Sequence, residues 1–119
     1  MKKTLLLALA VLTALAFVSC QKEAELGTEE NPLVWSFVPS GDTQQISAGG
    51  QAVADMIYEK TGLVVEASVA TEYAGVIEAL SADPPSAHIA SLATFAYVVA
   101  ADRGVAEAEL VSVRYGRPF

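Results

Sequence analysis

The chain predicts an α/β protein built on a mostly parallel sheet with flanking helices. Three observations carry that expectation. Short apolar runs alternate with amphipathic stretches in the order βαβαβαβ. The links between them are short, so each strand reaches the sheet through a right-handed helical crossover, with helices on both faces. The first apolar run, LVWSFV over residues 33–38, is hydrophobic almost throughout, as suits a strand covered on both sides.

The folded part follows an N-terminal address. Lys2 and Lys3 precede an apolar run over residues 5–18, broken only by Thr13. The run is short for a bilayer span and ends in small residues followed by cysteine. Phe17-Val18-Ser19-Cys20 is similar to the processing site of bacterial lipoproteins, with phenylalanine in place of the usual leucine. That likeness implies a signal peptide over residues 1–19, cleavage before Cys20, and Cys20 as the lipid acceptor. An ordinary secretory signal cut near Cys20 is the alternative. Two or more acyl chains, at about 0.8 kcal/mol per buried CH₂, would hold the protein stably on a membrane. Residues 20–32 are charged and poor in large apolar groups, and read as an acidic flexible tether.

The remaining stretch, residues 33–119, is long enough for one domain with a core. The single cysteine, Cys20, excludes an intramolecular disulfide. The formal net charge is −7, and removing a signal that holds two lysines and no acids makes the rest more acidic. Such a surface argues against nucleic acid, whose phosphates need Lys and Arg partners. A small anion stays possible, because helix N-termini and hydroxyls bind anions without formal charge.

Pro39-Ser40-Gly41-Asp42 stops the first strand, and Asp42 with Gln45 has capping-box spacing. A helix follows to about Lys60, with Ile46, Val53, Met56 and Ile57 expected inward. Gly49 and Gly50 weaken its start or let it pack closely, and Gly62 is its expected C-cap. Residues 63–69 read as the second strand and 71–81 as the second helix, with Thr71 as cap and Ala74, Ile77 and Leu80 on one face. Asp83-Pro84-Pro85 forbids continuation. Residues 87–92 read as the third strand. Thr94 is expected to cap a third helix through Arg103, with Phe95, Val98 and Val99 on its apolar face and Gly104 closing it. ELVSVR over residues 109–114 alternates and reads as a fourth strand.

In an open parallel sheet, ligands sit outside the carboxyl ends of the strands. Three such corners are identifiable: Pro39-Ser40-Gly41, Ala70-Thr71-Glu72-Tyr73 and Ser91-Leu92-Ala93-Thr94. All supply hydroxyls or backbone amides and none a basic side chain. That suits a desolvated tetrahedral oxyanion held by neutral donors, because each helix start adds roughly half a positive charge. The candidate ligand-binding residues are Ser40, Thr71, Tyr73, Ser91 and Thr94. Plainer roles stand beside these: Thr71 and Thr94 as caps, Ser40 as a turn residue, Tyr73 as packing. Tyr97 reads as core or rim and His88 as structural. No metal-ligand spacing, nucleophile elbow or phosphate-binding loop is present, so neither a cofactor nor an enzyme is expected.

The stretches 33–42, 62–80 and 87–104 together resemble the opening of the phosphate/phosphite/phosphonate-type substrate-binding proteins of ABC importers. Glu72-Tyr73-Ala74 is similar to that family's Thr/Asp-Tyr-Ala motif. Ala93-Thr94-Phe95-Ala96-Tyr97 is similar to its Gly-Pro-Phe-x-Tyr turn, with Ala-Thr replacing Gly-Pro, and His88 stands where the family often has Asp. The resemblance implies the first lobe of a periplasmic-binding-protein fold of type II, with the second lobe absent. It implies an exported, lipid-anchored receptor that captures phosphonate, phosphite or phosphate and delivers it to a membrane permease. Tyr73 would be the ligand-contacting tyrosine and Thr94 a helix N-terminal donor. Members are more than twice this length, so the chain reads as an N-terminal fragment that would bind weakly and leave an open sheet edge. Two other readings compete: a receptor of the same fold for another solute, such as an organic acid or vitamin precursor, and a lipoprotein that docks a partner protein.

Overall fold

The computed structural model of the chain describes residues 24–118. The expected signal over 1–19, the lipid acceptor Cys20 and the start of the tether lie outside the described residues. Three parallel strands form the main sheet: β1 (Leu33–Phe37), β2 (Val65–Val69) and β3 (Ile89–Ser91), in the order β2-β1-β3. Leu33 pairs with Val65 on one side of β1, and Trp35 pairs with Ile89 on the other. Helix α1 (Thr43–Thr61) joins β1 to β2, α2 (Tyr73–Ser81) joins β2 to β3, and α3 (Thr94–Asp102) follows β3. The α/β class and the parallel sheet are as expected.

The central position of β1 explains its apolar sequence. Successive residues of a strand point to opposite faces. Trp35 and Phe37 lie on one face, stacked with centroids 4.9 Å apart. Trp35 and Phe37 are half-buried, whereas Ser36 and Val38 point the other way and are buried. The first face meets α1, where Gly50 lies against Phe37. Strand β3 begins with a bond beyond the ladder. His88 N–H donates to Val34 O at 2.9 Å, and the Val34 N–H donates to His88 Nδ1 at 3.1 Å. His88 thus serves as the structural residue it was read to be.

Helix α1 starts and stops where its residues predict. Asp42 Oδ1 accepts from the Gln45 N–H at 2.9 Å, and Gly62 closes the helix at φ 76°. Its inward face differs from the expected one. Gly50 and Ala54 are buried, Ile46 and Ile57 are half-buried, and Val53 and Met56 are exposed. Gly50 decides this rotation. A Cβ there would stand 2.9 Å from both Ala67 Cβ and Phe37 Cε2, so the helix lies directly on the sheet at this point. At 100° per residue, Val53 falls about 60° from Gly50 and Met56 about 120° from it.

The same correction applies to the other helices. In α2 the buried residues are Val76 and Ile77, while Ala74 is exposed and Leu80 half-buried. In α3 they are Ala96 and Ala100, while Phe95 and Val98 are exposed and Val99 is half-buried. In α1 and α3 small residues face inward and bulk is displaced to the flanks, whereas α2 buries Val76 and Ile77. Helix α2 ends at Ser81, before Asp83-Pro84-Pro85, and the Ser86 and Ala87 N–H groups donate to Ala79 O.

Two further expectations are corrected. The tether is fastened over its second half. Thr28 and Asn31 bridge, Gly27 N–H donates to Asn31 O at 2.7 Å, and Val64 N–H donates to Gly27 O at 2.8 Å. Gly27 permits the turn through φ 89°, and Leu63 Cδ2 lies 2.8 Å from where its Cβ would stand. The fourth strand is not part of the main sheet. Only β4 (Val113–Arg114) is extended, and it pairs antiparallel with β5 (Arg117–Pro118). Tyr115 and Gly116 between them have φ 52° and 74°, the paired positive values of a tight hairpin turn. Alternation requires a strand partner without naming one, and this local hairpin supplies it.

Candidate functional site

The strand order brings the three expected corners to one edge. Strands are about 4.8 Å apart, so the ends of β2 and β3 are separated by about 10 Å with the end of β1 between them. The chain leaves β1 outward to β2 and returns past β1 to β3. In open sheets of this order the crevice forms between β1 and β3, where the crossovers part. Ser40 follows β1, and Ser91 and Thr94 stand at the end of β3 and the start of α3, whereas Thr71 and Tyr73 belong to the corner after β2.

The corners are chemically unequal. After β1, the Ser40 N–H donates to Val38 O at 2.9 Å, so this amide is already engaged while the side chain is exposed. Asp42 occupies the start of α1 with its carboxylate, which opposes an anion there. After β2, the Ala70 N–H donates to Phe37 O at 3.0 Å and ties the corner to β1. Thr71 is exposed and does not cap α2. Glu72 holds the cap position with an extended backbone and no side-chain cap bond. Thr71 stands one residue too early for its oxygen to reach the first-turn amides.

After β3, Thr94 is not a cap either. It is the first helical residue, Ala93 holds the cap position, and Ala93 O accepts from the Tyr97 N–H at 2.9 Å. Helices α2 and α3 therefore both begin without a side-chain acceptor on their first-turn amides. Such amides turn to water or to a ligand. Ser91 is partly engaged, because its Oγ accepts from the Trp35 indole N–H at 3.1 Å. That bond escaped the sequence reading. Residues 35 and 91 share a face only once the β1–β3 register is known.

Two hollows stand out among the described residues. One of about 500 Å³ lies at the opposite end of the sheet, against Val64 and Val65. Glu29, Asp55 and Glu59 line it and make it unfit for an anion. The other, of about 310 Å³, runs between α2 and α3 and is walled by Tyr73, Ile77, Phe95 and Val99. Among the described residues no group of three or more His, Cys, Asp or Glu could hold a metal ion.

A three-stranded parallel sheet of order β2-β1-β3, with two uncapped helix starts at its carboxyl edge, defines a ligand-binding α/β lobe. The chain belongs to the family of ABC transporter phosphonate periplasmic substrate-binding proteins, whose family model matches residues 35–119. A comparison with curated protein sequences found no match. The family is one of exported binding proteins, and phosphonate is the substrate that its description gives.

Proposed function

We propose that this protein is the solute-binding lipoprotein of an ABC importer, capturing a phosphonate, phosphite or phosphate oxyanion and passing it to a permease. The observation that carries this reading is the meeting of three strand-to-helix corners at one sheet edge, two of them with uncapped helix starts. Neutral donors suit an anion stripped of water, because amides and helix starts supply partial positive charge without a mobile counter-ion. In this reading Ser40, Ser91 and Thr94 offer hydroxyls around the crevice, and Thr71 and Tyr73 close its flank. Residues 1–19 act as the signal, Cys20 takes the lipid, residues 20–32 link the anchor to the lobe, and residues 33–119 form the lobe.

Calorimetry of the full chain against phosphate, phosphite and methylphosphonate tests the ligand. At least one should bind, and Tyr73→Ala should weaken it by about tenfold, the size of one lost hydrogen bond to a charged group. Because a single lobe binds weakly, the titration runs to high anion concentration, and no heat from any of the three even there sinks the oxyanion reading. Labelling cells with radioactive palmitate tests the anchor. The wild type should take up label and Cys20→Ser should not; equal labelling of the two excludes Cys20 as the acceptor.

A further inference from the structure

The end of the described chain carries a surface that neither the core nor the three corners use. After α3, residues 105–112 run without helix or strand into the β4–β5 hairpin. Leu110 is 95% exposed, Val113 66% and Tyr115 100%. Residues 110–118 hold two arginines, Arg114 and Arg117, and no acid, in a chain of formal net charge −7. The arginines stand opposite each other in the hairpin register, and Tyr115 lies in the turn between them. Apolar groups gathered at one exposed place and flanked by charge mark an interaction surface.

The fold sets that surface at one end of the lobe. Helix α2 starts after β2 and returns to the start of β3, so it runs from the carboxyl edge of the sheet to the amino edge. Helix α3 starts after β3, at the same carboxyl edge. It lies along α2 in the same direction, with Tyr73 and Phe95 at one end of their groove and Glu78 and Arg103 further along it. The segment after α3 therefore leaves from the amino edge. The tether joins there as well. The Val64 N–H donates to Gly27 O just before β2, and Asn31 Nδ2 donates to Ala24 O at 2.8 Å. The chain between Cys20 and Ala24 reaches at most about 14 Å when fully extended, so a lipid on Cys20 holds the amino edge against the bilayer.

We propose that the hairpin docks on an anionic lipid surface, with the amino edge of the sheet towards the membrane and the three corners away from it. Tyr115 enters the interfacial layer, where a ring with one polar end is stable, and Leu110 and Val113 leave water beside it. Arg117 meets a lipid phosphate as a bidentate donor, and Arg114 adds a second positive charge. Two arginines near such a surface tighten binding by about thirtyfold at physiological salt, and by less as salt is added. The acidic rest of the lobe is repelled by the same surface, which turns the lobe hairpin first. The anchor favours lipid over a second copy of this chain, because it holds the bilayer within reach of every hairpin. The setting rests on the reading of Cys20 as lipid acceptor; the affinity of the hairpin for lipid does not.

Vesicles of phosphatidylglycerol and of phosphatidylcholine, each with brominated acyl chains, test this on the full chain. Bromine quenches a tryptophan that reaches it, so the reporter is Tyr115→Trp, with the single Trp35 of the unsubstituted chain as background. The readout is confined to the hairpin because the apolar residues 5–18 can bring the chain to either vesicle by themselves. Phe95→Trp reports on the carboxyl edge; Tyr115 and Phe95 are both exposed, so neither reporter touches the core. The Tyr115→Trp chain should be quenched on phosphatidylglycerol and not on phosphatidylcholine, and the Phe95→Trp chain on neither. Adding Arg114→Gln and Arg117→Gln to the first should raise the lipid concentration at half-quenching about thirtyfold. Absence of quenching in Tyr115→Trp on phosphatidylglycerol overturns the proposal. So do equal quenching on the two vesicles, equal quenching of the two reporters, and loss of the arginines without effect. A blue shift of Tyr115→Trp emission that needs no vesicle and grows with protein concentration also overturns it, and assigns the hairpin to a second copy of the chain. Lipid labelling at Cys20 and anion calorimetry read other parts of the protein, so those readings stand or fall apart from this one.

Discussion

Gly49 and Gly50 stand side by side in α1 and meet different surroundings. Nothing lies within 4 Å of a Cβ built on Gly49, whereas one on Gly50 would meet Ala67 and Phe37 at 2.9 Å. Gly49→Ala should therefore stabilise the protein by about 0.5–1 kcal/mol through helix propensity. Gly50→Ala gains the same propensity and forces the helix off the sheet, for a net loss of about 1–2 kcal/mol. Urea unfolding measures both, and midpoints moving in the same direction would refute the packing described for α1. His88 is a second informative residue. His88→Ala leaves the Val34 amide without its acceptor and should cost about 1–2 kcal/mol, read from the same unfolding curves.

Among the elements, α1 differs from α2 and α3 in how it begins. A carboxylate sits on its first turn, while the other two helices start without a side-chain acceptor. Asp42→Asn keeps a good cap and removes a negative charge from the carboxyl edge of the sheet. Stability should change little. At roughly 10 Å in water one unit charge contributes about 0.4 kcal/mol, so anion affinity should rise about twofold at low salt and the gain should fade as salt is added. Calorimetry at two salt concentrations checks this, and an affinity unchanged by Asp42→Asn at low salt would place the anion away from the start of α1.

The whole molecule is held by a core of small residues, chiefly Ala54, Ala87, Ala96 and Ala100 with Val38, Val65, Val76 and Ile77. Strand β1 has a partner on each side and buries Ser36 and Val38, while the β4–β5 hairpin pairs only with itself and leaves Tyr115 wholly exposed. Local opening should therefore differ widely between them. Hydrogen exchange followed by NMR should find the slowest amides in β1 and near-unprotected amides over residues 113–118. Comparable protection in the hairpin would mean that the segment joins the main sheet in solution.

Much of this architecture was legible in the residues. The alternation of apolar runs, the Asp42–Gln45 spacing, Gly62 after Thr61 and the prolines after Ser81 are local signals, and local backbone preferences decide them. The candidate site was legible as three corners rich in hydroxyls and amides, and the family as Glu72-Tyr73-Ala74 followed by the turn into α3. Which corners stand side by side depended on strand order, because β1 is first in the chain and central in the sheet. Thr71 and Thr94 missed the cap positions by one residue, a difference set by where each helix docks. The inward faces depended on contact distance: Gly50 and the alanines face the core because the helices lie too close for larger groups. Phe95 was thereby turned outward, and residues 109–114 stayed outside the main sheet. Local chemistry determined which elements form around the sheet and, at Asp42, Gly62 and the prolines after Ser81, where they begin or end. Contacts between residues far apart in the chain decided which side each turns inward and what stands beside it.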